Sequence, residues 1–331
     1  VHRVVINEAV IKLKITPDGP VLIKAGEALS GIEPDLPDMA FVRTYHGGRE
    51  TVYLPGSSLK GVIRSHCERI VRTCVPPSED SPAACDPLFD KLERGGPRIH
   101  PKENRVVSCC KWLQDRHRNA GGAETYTQSC FVCKLFGNTS LASHSSFNDA
   151  VPIDGLADDD DPNLTEERNG VAIDRVYGSV AGGALFQFEV VTRGTFGTDL
   201  LLRNFSCAHL GLIGLALRDL NDQRLLVGFG KSRGLGRVKA EVASVTLRRW
   251  ARLDSGNQRL VGFLDPSVEE RYRLGLSDVA LANDQMDLPV DYGPDDLGID
   301  AAKAEGEEAL GTLWRNAAQC WAAAAQAMGG G

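Results

Sequence analysis

Two groups of residues in this 331-residue chain have types and spacings suited to chemistry on phosphates. The first is Pro55-Gly56-Ser57-Ser58-Leu59-Lys60-Gly61. It lies between a β-like run, Thr51–Leu54, and a helix-like run, Leu59–Val71, with cations at Lys60, Arg64, Arg69 and Arg72. Gly56 permits a tight turn, and the Ser57 and Ser58 hydroxyls can cap the first helical amides. A helix that starts with free N–H groups and carries lysine and arginine makes a seat for phosphate. The plain alternative is an ordinary strand-turn-helix junction. It is not a Walker A loop, because the lysine precedes the second glycine and no Ser or Thr follows it. The second group is the glycine loop Gly228–Arg237, with Lys231, Arg233 and Arg237 among its glycines. Glycines let a backbone approach a polyanion and the cations neutralise phosphates, whereas the plain alternative is a hairpin loop.

A third group is cysteine. The chain has nine, an odd number, which argues against a secreted disulfide framework and for free thiols or metal ligands in a reducing cytosol. Most fall between residues 67 and 133. Cys130-x-x-Cys133 is half of a tetrahedral zinc site by spacing. Cys109 or Cys110, and Cys85 or Cys74, are the other thiol sources, with His66, His100 and His117 as spare nitrogen ligands. The favoured set is Cys85, Cys109, Cys130 and Cys133, with Cys74 and Cys110 as alternatives. Thiolates from separated loops, closed on one zinc, would staple a segment that lacks its own core.

A carboxylate beside a phosphate seat can hold a divalent ion or act as a general base. The loop 25–50 offers Glu27, Glu33, Asp35 and Asp38, and composition does not choose among them. There is no Ser-His-Asp order, nucleophile elbow or dinucleotide fingerprint. Net charge is −7, yet residues 1–260 hold 33 basic and 31 acidic groups (+2), while residues 261–331 hold 4 and 13 (−9). Polyanion binding depends on a local basic face, so the overall acidity neither supports nor excludes RNA. No run of about 20 apolar residues is present, so no membrane span is expected. Val1–Ile6 reads as the start of a strand and not as a signal peptide.

The elements that must position these groups follow from periodicity. Residues 3–15 alternate as a strand, and Val21–Ile23 reads as strand again after the turn at Asp18-Gly19-Pro20. The serine turn leads into a helix to about Thr73. Residues 74–128 show little periodicity, Phe147 begins a strand-like stretch, and 157–167 is an acidic solvated loop. Two β-like runs, 171–173 and 184–191, flank Gly178–Gly183 as a hairpin candidate. An amphipathic helix spans 207–220, a strand spans 240–247, and an Ala-rich helix runs to Met328. This order predicts an α+β, ferredoxin-like sheet with helices on one face, enlarged by insertions.

Taken in order, Pro55–Gly61 with Arg64, Cys130-x-x-Cys133-x-Leu135-Phe136-Gly137, Ile173-Asp174-Arg175 and the Gly228–Arg237 loop resemble one family. It is the backbone subunit of type III CRISPR–Cas effector complexes, of the repeat-associated mysterious protein (RAMP) superfamily. The resemblance covers about residues 3–250. It implies a modified RNA-recognition fold over residues 1–260, with palm, a Cys-rich, zinc-stapled insertion at 74–137 and a thumb hairpin at 171–195. An acidic, Ala-rich extension, 261–331, has no counterpart in compact members and is expected as a subtype-specific contact surface.

The resemblance further implies copies stacked along a CRISPR guide RNA, with thumbs splaying guide from target RNA. Partner subunits are neighbouring backbone copies, a large signalling subunit and small subunits, in a prokaryotic cytoplasm and with no membrane. A loop aspartate is expected to support metal-dependent cutting of target RNA, with Mg2+ as the ion type. The ribose 2′-OH attacks its own phosphate and leaves cyclic-phosphate ends. Asp38, followed by Met39-Ala40-Phe41-Val42-Arg43, matches best, and Asp35 is the runner-up. Ser57, Ser58, Lys60, Arg64, Arg175, Lys231, Arg233 and Arg237 would hold RNA. A non-catalytic capping subunit, and a guide-processing endoribonuclease using His46 or His66, are the alternatives.

Overall fold

Strand β1 (Asn7–Pro17) sets the architecture. Its Ala9, Ile11, Leu13 and Ile15 are buried while Lys12, Lys14 and Thr16 are exposed, the two-residue period of a half-buried strand. A computed structural model describes residues 2–25, 37–78, 83–93, 95–153, 164–250 and 256–329. In chain order, β1 is followed by α1 (Gly56–Cys74), α2 (Cys109–Arg116), α3 (Gly122–Thr127), α4 (Phe131–Phe136), β2 (Ser145–Phe147) and β3 (Val151–Pro152). Then come β4 (Phe196–Arg203), α5 (Cys207–Asn221), β5 (Val238–Arg249), α6 (Pro266–Tyr272), β6 (Gly293–Pro294), β7 (Asp300–Glu305) and α7 (Glu307–Ala327).

The main sheet has the spatial order β6-β7-β5-β1-β4-β2, with β3 also on β4, and every pairing is antiparallel. Within it, β1-α1-β2-β4-α5-β5 forms the ferredoxin-like plan, with β5 and β4 flanking β1. Ile63, Cys67 and Val71 of α1 and Leu212, Ile213 and Ala216 of α5 share one core with Ala9, Ile11, Leu13, Leu200, Leu202 and Val245. Each fully buried aliphatic side chain there contributes roughly 1.5–3 kcal/mol. Past residue 260, β7 pairs with β5 from Ser244↔Glu305 to Arg249↔Asp300, and α7 packs on α5. That helix pair is close: a Cβ on Gly211 would lie 2.0 Å from the Ala317 carbonyl oxygen, so only glycine fits.

The fold is the α+β, ferredoxin-like one expected from element order, with its insertions in the connections. Between β1 and α1 lies a short hairpin, Arg43–His46 with Arg49–Val52. Between α1 and β2 lies the cysteine-rich segment, which contains α2, α3 and α4. Between β3 and β4 a long hairpin, Thr165–Ile173 with Val180–Val191, projects from the sheet.

Three local expectations are corrected. Val21–Ile23 makes no strand of its own; Val21 and Lys24 form isolated bridges to Val191 and Phe41, because this segment runs between two other chains of backbone instead of along one. Phe147 ends β2 and does not begin it. The hairpin turns at Asp174–Ser179, ahead of the glycines at 182 and 183, which fall inside its second strand. The Asp174 carboxylate accepts from the Val176 and Tyr177 amides at 2.7 and 3.0 Å, and this side-chain turn closes the tip without Gly182 or Gly183.

Candidate metal centre and nucleic-acid interface

Cys85, Cys109, Cys130 and Cys133 are all buried, and their sulfurs lie within 4.8 Å of one another. Cys109 opens α2, and Cys130 caps α4, in which Cys133 follows one turn later. The Cys133 amide donates to Cys130 Sγ at 3.3 Å and the Cys130 amide to Cys109 Sγ at 3.2 Å. Amide donation of this kind stabilises thiolates. A tetrahedral zinc with bonds near 2.3 Å sets its sulfurs about 3.8 Å apart. The Cys85 and Cys133 sulfurs are 3.8 Å apart, so the set fits such an ion. Cys110 is only partly buried and Cys74 exposed, and neither joins the group. Cys109 and Cys110 are neighbours on a helix and point about 100° apart, so only one can face the others.

The charge around these sulfurs is arranged for an ionised site. Arg98 Nη2 donates to Cys109 Sγ at 2.9 Å and Arg64 Nη2 to Cys133 Sγ at 3.4 Å. Lys134 is buried beside Cys130 and Cys109, and burial pulls its ammonium down to about 8. Burial pushes the Cys130 thiol up, but hydrogen bonds from Cys109, Cys133 and Cys85 outweigh it and hold that thiol well below its ordinary range. Cys133 is held well above its range by hydrogen bonds with Cys109 first, then Cys130 and Cys85. Without a cation one thiolate forces the others to keep their protons; a divalent ion lets all four ionise. These four buried cysteines could therefore hold a metal ion such as zinc. The candidate histidines are otherwise engaged: His66 with Asp219 at 2.7 Å, His117 with Glu124 at 2.9 Å, and His100 with the Glu103 amide at 3.3 Å.

At the start of α1 neither serine caps the helix. Its Gly56 amide donates to the Asp149 carboxylate at 2.8 Å, a residue 93 positions away, and Ser57 is exposed. Gly56 is there for close approach and not for a turn: a Cβ would lie 2.1 Å from the Phe147 carbonyl oxygen. Lys60 Nζ donates to Ser143 Oγ at 2.9 Å. Arg64, expected on the phosphate face, turns inward to Glu68, the Gly137 carbonyl and Cys133. The one helix thus presents exposed Ser57 at its tip and reaches the cysteine cluster through Arg64 about two turns further on.

Asp38 is exposed and anchored at the root of the long hairpin, where its Oδ2 accepts from the Gln187 amide at 2.9 Å. Met39 bridges Phe188, and the Met39 carbonyl accepts from the Glu189 amide at 3.0 Å. Glu189, 6 % exposed, accepts from the Phe41 amide at 2.9 Å and forms a two-pronged pair with Arg43. Burial raises this carboxyl, but Arg43 and the Phe41 amide outweigh it and keep it below its ordinary value. The hairpin and the Asp38 segment are thereby locked together. Asp35 lies outside the described residues.

The glycine loop closes the other side. A crevice of about 160 Å³ is lined by Met39, Gly170, Phe186, Phe188, Arg233 and Leu235, which brings the Asp38 segment, the hairpin and the loop together. Arg233 stacks over exposed Phe229, 5.2 Å from its ring centre. Arg237 sits beside the Asp18-Gly19 turn. Arg175 is exposed at the hairpin tip, in a patch where Ile173, Val176, Tyr177 and Val180 are 58–84 % exposed. Glu189, Arg98, Lys134 and Asp149 were missed by sequence reading. An acid inside the apolar run Phe188–Val191, and a lysine directly after Cys-x-x-Cys, were the available signals for Glu189 and Lys134.

An antiparallel βαββαβ sheet, an insertion with four clustered cysteines, a projecting hairpin and a basic glycine loop together define a class of RNA-recognition-like α+β proteins. A family model of the RAMP superfamily matches residues 14–239, more than half of the chain, and the chain belongs to that superfamily. Membership supports a CRISPR-associated, RNA-binding role. Comparison with curated proteins gives no match. Among the described residues, no helix is long and apolar enough to cross a membrane.

Proposed function

We propose that this chain is a guide-RNA-binding backbone subunit of a type III CRISPR effector, and that it cleaves target RNA paired to the guide. The observation that carries this reading is the placement of Asp38: an exposed carboxylate fixed at the root of the projecting hairpin and beside the basic glycine loop. A two-stranded hairpin with an apolar exposed tip gains little stability from itself and suits insertion between stacked bases. It would splay guide from target and leave the next target phosphate near Asp38. Ser57, Ser58, Lys60, Arg175, Lys231, Arg233 and Arg237 would track the RNA backbone.

In the cut, the 2′-oxygen bonds to the adjacent phosphorus and the bond to the 5′-oxygen breaks. The 2′-OH proton is lost and the leaving 5′-oxygen gains one, giving a cyclic phosphate and a 5′-hydroxyl. A bound Mg2+ would neutralise charge on the phosphate, and Asp38 would hold it or orient the 2′-OH. The cysteine site is assigned to structural zinc. Neighbouring copies, a large signalling subunit and small subunits are the proposed partners in a prokaryotic cytoplasm, with residues 261–331 as a contact surface.

The test is Asp38→Ala in the assembled complex. Cutting of guide-matched RNA is expected to disappear while guide RNA is retained. Undiminished cutting would overturn the catalytic assignment and favour a guide-holding or capping subunit. A histidine-based guide-processing enzyme is disfavoured at His66, whose Nε2 is held by Asp219 and whose Nδ1 is buried.

A further inference from the structure

A recess of about 290 Å³ lies between α1 and the glycine loop, and it is separate from the crevice beside Asp38. Its walls include Gly61, Ser65 and Arg69 from α1, Arg224 from just after α5, and Lys231 from the loop. Three cations from three different parts of the chain converge there. Arg224 is partly engaged, 3.5 Å from Asp219 and 3.8 Å from Asp222. Arg69 and Lys231 have no carboxylate partner among the described residues, and both are exposed. Burial first, then the Arg69 charge, pulls Lys231 below its ordinary value. Nothing in the fold requires two unpaired cations to face one another, and the loop holds Lys231 there by construction. Gly230 and Gly234, at φ +72° and +85°, bracket the single 3₁₀ turn Lys231–Arg233.

Facing cations without a counter-charge, around a recess with the Ser65 hydroxyl at its wall, have the chemistry of a phosphate pocket. We propose that this recess takes one internucleotide phosphate of the RNA, held by Arg69, Arg224 and Lys231. The inference rests on the RNA-binding reading above and deepens it: Arg69 and Arg224, neither of them among the residues assigned to RNA above, join the loop lysine on a single phosphate. The occupant is the phosphate of a polynucleotide and not free phosphate, because the same two elements carry further groups for RNA: Ser57 and Ser58 lie about one turn before Gly61 on α1, and Lys231 shares its loop with the Phe229–Arg233 stack, which offers a face to a base.

The experiment measures binding of a labelled single-stranded RNA of mixed sequence to the full chain over a series of salt concentrations. Loss of one phosphate contact reduces the slope of log K against log salt by about 0.7. Arg69→Ala with Lys231→Ala is expected to weaken binding and flatten the slope by that amount. Lys303→Ala with Arg315→Ala removes equal charge, from the β7–α7 region, and is expected to leave the slope unchanged. Inorganic phosphate at matched ionic strength is expected to displace no RNA. If wild type binds RNA and the Arg69/Lys231 variant keeps its slope, the recess assignment is overturned while RNA binding stands. If phosphate binds in an Arg69-dependent way with no change of RNA slope, the recess is a free-anion site and the proposal fails. If wild type binds no RNA at low salt, both readings fall.

Discussion

At the residue scale, the two-pronged Arg43–Glu189 pair is the contact that gives Asp38 a fixed address. Glu189 is buried while Arg43 is partly exposed, so the carboxylate end of the pair is shielded from solvent and depends on its partner. Glu189→Gln keeps shape and one acceptor but removes the charge that Arg43 is matched to. Target cutting by the assembled complex is expected to fall about tenfold or more, as for other misplacements of a reacting group. Guide retention is expected to stay intact, and the charge-preserving Arg43→Lys is expected to keep less than half of the wild-type rate because it cannot form both prongs. Single-turnover rates at saturating target separate this from weaker target binding; an unchanged rate would show that Asp38 needs no such anchor. The sequence carried part of this arrangement. Asp38 and Arg43 stand five residues apart and were legible together. Their partner Glu189 lies 146 positions beyond Arg43, and no local periodicity reports a contact of that range. The same limit explains Gly56, where the cap came from Asp149 and not from the adjacent serines.

At the element scale, the cysteine-rich segment has little regular structure of its own, and its four sulfurs converge on one point. Its helices α2, α3 and α4 have 8, 6 and 6 residues, too short to stand alone in water. The four cysteines are themselves part of the main core, beside Val71, Val106 and Leu135. Purified protein is expected to carry zinc, read by elemental analysis, and stripping it with a chelator is expected to lower the melting temperature. Cys130→Ser is expected to lose the metal and to open the segment between α1 and β2 to limited proteolysis, with the rest of the sheet protected. Intact resistance in metal-free protein would show that packing alone holds the segment. Spacing made Cys130-x-x-Cys133 readable, because a helix N-terminus fixes that geometry locally. It could not choose Cys109 over Cys110, since that choice depends on which face of α2 turns inward. Arg64 shows the same point from the other side: the helix was legible, but its rotation sends this arginine to Cys133 and leaves Arg69 facing the recess.

At the scale of the whole molecule, Asp284 ties residues past 260 to the ferredoxin-like sheet. It is 1 % exposed, and its carboxylate accepts from the Cys207 amide at the start of α5 at 2.7 Å and from the Leu264 amide at 2.9 Å. Burial raises this acid to about 7, against the pull of those two amides, with Asp265 adding to the rise. The folded protein therefore holds a proton that the unfolded chain releases near pH 4. Folded-state affinity for that proton means its contribution is fully present below about pH 4 and is lost as pH rises to about 7. The slope is about 1.4 kcal/mol per pH unit for one such group. Asn at this position cannot titrate. The stability difference between wild type and Asp284→Asn is expected to shift against wild type by about that slope from pH 4 to pH 7, and to stay level above it. Taking the difference cancels the titrating groups that do not interact with Asp284, the metal thiols included, because both proteins share them. Urea unfolding at matched pH values measures it. A gap that stays constant with pH would mean that Asp284 is ionised in the folded state, held by its two amides. The acidic C-terminal residues would then be joined to the sheet by a charge and not by a proton.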